Sequence, residues 1–151
     1  MKKIVVYFSQ SGNTERVAET IGEIENCEIK EIETKEPYVK DYDKLIEVAK
    51  EEIEHGDKPA IESIDISGYD LIYLGTPNWW SAVAPPVATF LSENDFDGKT
   101  IAPFITHGGG EDSHIVSDIE KLAPNAKVLT PLTVAGTGGS ILEENVKNWI
   151  N

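Results

Sequence analysis

The sequence predicts an α/β fold: a three-layer, doubly wound, five-stranded parallel sheet. Three observations predict it. Five short apolar runs alternate with five stretches of helical spacing, a rhythm that requires parallel strands joined by crossover helices. The chain has 151 residues, about one domain of roughly 150 residues, so 1–151 reads as a single domain. It is 40% hydrophobic and 26% charged, enough apolar surface to build a core that offsets chain entropy.

The elements follow in order. Lys3–Phe8 (KIVVYF) is an apolar, β-branched run that suits a strand buried on both faces. Ser9–Thr14 is a polar turn, and from Asn13 onward Val17, Ile21 and Ile24 recur at helical spacing. Cys27–Ile32 alternates and predicts a half-exposed strand. Tyr42–His55 puts Leu45, Ile46, Ala49 and Ile53 on one helix face, and Gly56 ends that helix. Tyr69–Leu74 predicts a strand ending at Gly75. Val87–Leu91 fits a helix whose first turn holds Pro85 or Pro86. Thr100–Thr106 is a strand in which Pro103 argues against a fully paired central position. Ser113–Leu122 is helical, Ala126–Val134 is a strand interrupted by Pro131, and Ile141–Ile150 is a closing helix.

Charge and cysteine content exclude several function classes. Thirteen Lys+Arg against 27 Asp+Glu give a net charge of −14, which phosphate backbones repel, so no nucleic-acid binding is expected. The acidity suits solubility, and also steering toward a basic partner. No run approaches the ~18 apolar residues of a membrane span, and the short apolar run after Met1 does not suit a secretory leader; a cytoplasmic location is the expectation. The single Cys27 excludes an internal disulfide and a Cys-based metal cluster. His55, His107 and His114 show no metal-ligand spacing, so no metal site is expected.

In an open parallel sheet, ligands bind outside the carboxyl ends of the strands. Three unusual loops reach that edge: Ser9, Gln10, Ser11, Gly12, Asn13 and Thr14 after the first strand; Thr76, Pro77, Asn78, Trp79 and Trp80 after the third; Thr106, His107, Gly108, Gly109 and Gly110 after the fourth. The first combines hydroxyl groups with a helix N-terminus, a setting for a phosphate held by neutral donors. It matches neither GxxxxGK[ST] nor GxGxxG, and its plainer reading is a helix cap. Trp79 and Trp80 offer a flat apolar wall for a planar ring, or a packing anchor. The glycines of the third loop let backbone approach a ligand closely. His107–Gly110 also spells an esterase oxyanion loop, but there is no GxSxG nucleophile elbow.

The run KIVVYFS followed by SQSGNT resembles the flavodoxin signature, in which an S/T-x-S/T-G-x-T loop wraps the phosphate of FMN. The resemblance continues through Tyr69-Asp70, Gly75–Trp80, Phe90-Leu91, Asp97–Thr100 and Pro103–Gly109. It points to the short-chain type with a Trp-Trp flavin loop. It implies a 2-1-3-4-5 strand order and FMN as cofactor. By position, Ser9–Thr14 would hold the phosphate, and Thr76–Trp80 with Thr106–Gly110 the flavin ring. It further implies a low-potential electron-transfer protein, expected as a monomer, that docks transiently on basic redox partners. There is no glycine between Gly75 and Gly98, where many flavodoxins have one beside the ring, and no tyrosine in the second ring loop. A second reading therefore stays open, an NAD(P)H-dependent FMN quinone oxidoreductase. No catalytic side chain is assigned in either reading.

Overall fold

The computed structural model describes residues 1–10, 12–36, 38, 41–56, 58–108 and 114–150, with Tyr42 and Ile46 described by backbone alone. Of the expected site, Ser11, Gly109 and Gly110 lie outside the described residues, as does Ser113, the expected start of the fourth helix.

The chain order is β1 (Lys3–Tyr7), α1 (Asn13–Glu25), β2 (Glu28–Glu31), α2 (Tyr42–His55), β3 (Leu71–Trp79), β4 (Ala82–Val83), α3 (Pro85–Glu93), β5 (Thr100–His107), α4 (Ile115–Leu122), β6 (Lys127–Val128), β7 (Leu132–Ala135) and α5 (Leu142–Ile150), the last preceded by a 3₁₀ turn at Gly139–Ile141. The sheet order is β2-β1-β3-β5-β6, with β7 continuing the β6 position beside β5 and β4 folding back on β3. All pairs are parallel except the β3–β4 return. Counting β6 and β7 as one interrupted strand, this is the expected 2-1-3-4-5 order with a short hairpin added.

Side-chain alternation assigns the layers. Ile4, Val6 and Phe8 of the first strand region, Ile72 and Leu74 of β3, and Ile101 and Ile105 of β5 share one core with Val87, Phe90 and Leu91 of α3 and Ile115 and Ile119 of α4. Val5, Tyr7, Leu71, Tyr73, Ala102 and Phe104 point the other way and pack with Val17, Ala18 and Ile21 of α1 and Leu142 and Val146 of α5. Each fully buried aliphatic or Phe side chain contributes about 1.5–3 kcal/mol, so both faces of the central strands drive the sandwich together.

The helix ends obey local rules. Asp41 caps α2 by accepting from the Lys44 N–H at 3.1 Å, and Gly56 closes it in the left-handed region, φ 66°. Pro85 and Pro86 occupy the first turn of α3, where their missing N–H groups cost no helical bond.

The strands near Gly75 and Pro131 differ from expectation, while Pro103 is, as expected, not fully paired. Strand β3 does not stop at Gly75 but runs four residues further to Trp79. β1 ends opposite Gly75 and β5 continues alongside Thr76 and Pro77, so the proline sits where β3 has lost one neighbour and is tolerated. The expected Thr76–Trp80 loop is therefore mostly strand. Pro103 lies in the central strand β5, opposite Leu74 of β3, yet on its other flank it faces the gap between β6 and β7. The strand expected over Ala126–Val134 is broken around Pro131 into those two pieces.

Candidate functional site

The carboxyl ends of β1, β3 and β5 lie side by side in the sheet; the first expected loop follows β1, while the other two expected segments begin within β3 and β5 themselves.

At the end of β1, the Gly12 N–H donates to Ser9 Oγ at 3.1 Å. Gly12 has φ 93°, and a Cβ there would meet no atom within 4 Å. The requirement for glycine is conformational: a left-handed residue redirects the chain straight into α1. Gly12 stands at the N-cap of α1, and among the described residues no side chain caps the helix. Its first-turn N–H groups precede the first residue with a helical carbonyl partner, Arg16, which bonds to Gly12 O at 3.1 Å. They converge at the positive end of the helix dipole, an anion-binding arrangement. Gln10 is exposed and Asn13 half-buried beside this turn.

Thr14 is 1% exposed and Thr106 4%. Their Oγ1 atoms are 2.7 Å apart, tying the first turn of α1 to the end of β5. Beyond Thr106, His107 is half-buried and its carbonyl accepts from the Gly136 N–H at 2.9 Å; Gly108 is exposed, and a Cβ there would meet no atom of the described residues within 4 Å.

At the end of β3 stands a hairpin. Asn78 pairs with Val83 and Trp79 with Ala82, leaving Trp80 and Ser81 as a two-residue turn, both at positive φ, 54° and 65°. Such turns match sheet twist but normally carry Asn, Asp or Gly. Asn78 Oδ1 accepts from the Ser81 N–H at 2.9 Å. Thr76 is fully buried: its hydroxyl donates to the Pro77 carbonyl at 2.9 Å and accepts from the Ala84 N–H at 3.0 Å. Its side chain thus stabilises the hairpin base.

The two tryptophans separate. Trp79 is half-buried and packs edge-on against Phe8, 5.5 Å between centroids, and Tyr38, 5.4 Å. Trp80 is 51% exposed at the tip, with the Lys50 ammonium 5.3 Å from its ring centroid. Trp79 thus packs as an anchor, while Trp80 leaves much of its indole exposed at the hairpin tip.

Phe8, Tyr38, Lys50 and Glu52 are site neighbours that the sequence reading missed. Tyr38 Oη donates to Glu52 Oε1 at 2.5 Å, and burial together with that carboxylate pushes the phenol well above its ordinary range. Tyr38 stands in a polar connection with no periodicity to flag it; only its being an aromatic in such a stretch was a signal. Cys27, expected as a small buried hydrophobe, is half-buried against the α1 face, and burial raises its thiol.

The sequence profile of the flavodoxin family matches residues 2–151. The chain belongs to the flavodoxin family. Among solved structures, this flavodoxin-family chain is similar to a candidate flavoprotein from Bacteroides eggerthii, at 27% identity and TM-score 0.86 over 99% of this chain and 95% of that one. A candidate flavoprotein from Bacteroides uniformis gives 29% identity and TM-score 0.87 over 99% and 97%. A flavoprotein from Lactobacillus acidophilus, solved in complex with FMN, gives 26% identity and TM-score 0.76 over 99% of both chains. No curated protein sequence matches.

Proposed function

We propose that this flavodoxin-family chain binds one FMN at the β1, β3 and β5 edge and serves, as a cytoplasmic monomer, as a low-potential electron carrier between redox proteins. The observation that carries the reading is a pairing on one edge: an α1 N-terminus with no side-chain cap among the described residues, and the exposed indole of Trp80. The donor set fits the group. Backbone N–H groups at a helix start suit a phosphate dianion without a cation, and an indole at a hairpin tip suits a planar ring.

When bound, FMN supplies reversible electron uptake. The chain's part is to hold and shield it. In this reading Ser9, Gln10, Ser11, Gly12, Asn13 and Thr14 would hold the phosphate, and Thr76, Pro77, Asn78, Trp79 and Trp80 with Thr106, His107, Gly108, Gly109 and Gly110 would border the flavin ring. The FMN complex of the Lactobacillus acidophilus flavoprotein supports FMN as the ligand. An apolar wall that excludes water, in a chain of net charge −14, disfavours added negative charge and so lowers the reduction potential.

The test is cofactor extraction and titration. The purified protein is expected to be yellow with one FMN per chain, and riboflavin is expected to bind more weakly than FMN for want of the phosphate. A colourless protein that takes up no FMN overturns the reading. Partner choice has its own test: reduction by a basic reductase is expected to slow as salt rises, since attraction is screened beyond about 8 Å at physiological ionic strength. Rates flat with salt would return the acidity to solubility alone. Steady-state NADPH oxidation accelerated by a quinone, in the purified protein, would favour the two-electron oxidoreductase instead.

A further inference from the structure

The turn that carries Trp80 is under conformational load. Trp80 and Ser81 both have positive φ, 54° and 65°, a region that side-chain-bearing residues other than Asn and Asp resist. Two contacts among the described residues bear on the tip. The Asn78 carboxamide fixes its backbone through the Ser81 N–H at 2.9 Å. Lys50, projecting from α2, reaches its side chain, with Nζ 5.3 Å from the indole centroid. The other partner of Lys50, Glu54, is one turn along α2 at 4.0 Å, both side chains more than half exposed, and such a pair contributes little.

We propose that Lys50 is a positioning residue of the ring site: its ammonium sets the plane of Trp80 and takes one face of the indole, so that a planar ligand stacks on the opposite face. For its ligand this rests on the FMN reading, but the clamp belongs to the free protein. A cation over an indole is attracted to the ring's negative face. It also places positive charge behind the wall, where it favours negative charge gathered on the other side. One lysine on a helix thus tunes both the geometry and the field of a site built from the hairpin.

The experiment compares Lys50→Met, which keeps the stem and removes the charge, with Lys50→Arg, which restores a cation. Lys50 is exposed, so both variants keep the fold. In flavin-free protein, NMR of the Lys50 ε-methylene is expected to show an upfield ring-current shift that Trp80→Leu abolishes. Riboflavin, the ring without the phosphate, is expected to bind Lys50→Met about two- to fivefold more weakly and Lys50→Arg as well as the parent. The midpoint potential of the FMN-loaded protein is expected to fall in Lys50→Met and recover in Lys50→Arg. Ordinary Lys50 shifts in a protein that binds FMN overturn the clamp and leave the cofactor reading standing. An upfield Lys50 signal in a protein that binds no flavin overturns the cofactor reading and leaves the clamp. Equal losses in Lys50→Met and Lys50→Arg overturn the role of the charge.

Discussion

Thr14 and Thr106 are 92 residues apart in sequence and joined by one buried hydrogen bond of 2.7 Å. Replacing Thr106 by Val keeps the shape but strips the Thr14 hydroxyl of this partner, which costs about 1–3 kcal/mol. Replacing both threonines by Val removes the need for the bond, so the double variant is expected to recover most of that loss. Urea denaturation of the four proteins gives the coupling energy; strictly additive penalties would show that the hydroxyls do not depend on each other. At this scale the sequence was legible where residue type alone signals chemistry: the hydroxyl-rich turn with Gly12, and the Trp79-Trp80 pair. It was silent on partners. Nothing in a helical lysine announces that Lys50 faces Trp80, and nothing in the polar stretch around Tyr38 announces an aromatic cluster, because both depend on which elements the topology makes neighbours.

Among the elements, β3 carries the greatest constraint. It lies between β1 and β5, and a Cβ on Gly75 would sit 2.3 Å from the Phe104 ring and 2.9 Å from Tyr7 Cβ. Gly75→Ala is therefore expected to destabilise by about 1–3 kcal/mol, lowering Tm by about 2–12 °C. Gly108→Ala is the control: a Cβ there would meet no atom of the described residues within 4 Å and its φ is not positive, so an effect within about 0.5 kcal/mol is expected. Thermal melts decide, and equal melting temperatures for parent and Gly75→Ala would refute the packing argument. Gly75 also explains a misjudged boundary. A glycine followed by Thr-Pro-Asn reads locally as a strand end, whereas here it lets β3 pass between two aromatic residues and continue into the hairpin. The α2 limits were legible from Asp41 to Gly56 because capping is local.

Across the whole molecule, acidity has a cost in the folded state. Partial desolvation of its carboxyl, with Glu15 and Glu33 nearby, holds Glu31 above its usual range even though the residue as a whole is exposed. A raised folded-state pKa means a contribution to stability that is present when the group is protonated and lost as pH rises through that value. Glu31→Gln is expected to raise Tm by about 1–2 °C near pH 7, discounting for solvent screening, and that gain is expected to fade at acid pH, where the parent carboxyl takes up its proton. A gain of the same size at neutral and acid pH would assign the effect to something other than charge.

The interrupted last strand has a consequence for how molecules meet at high concentration. A sheet edge is a template for a further strand from another chain. Here one border of the sheet offers β6, two residues long, and β7, four, separated by a stretch containing Pro131. Trp149 of α5 donates its indole N–H to the Thr130 carbonyl across that break at 3.0 Å. The opposite border, β2, is four residues with Glu28, Lys30 and Glu31 exposed. An incoming strand would find too few consecutive amides on one side and charged side chains on the other, so neither border favours growth into cross-linked fibrils.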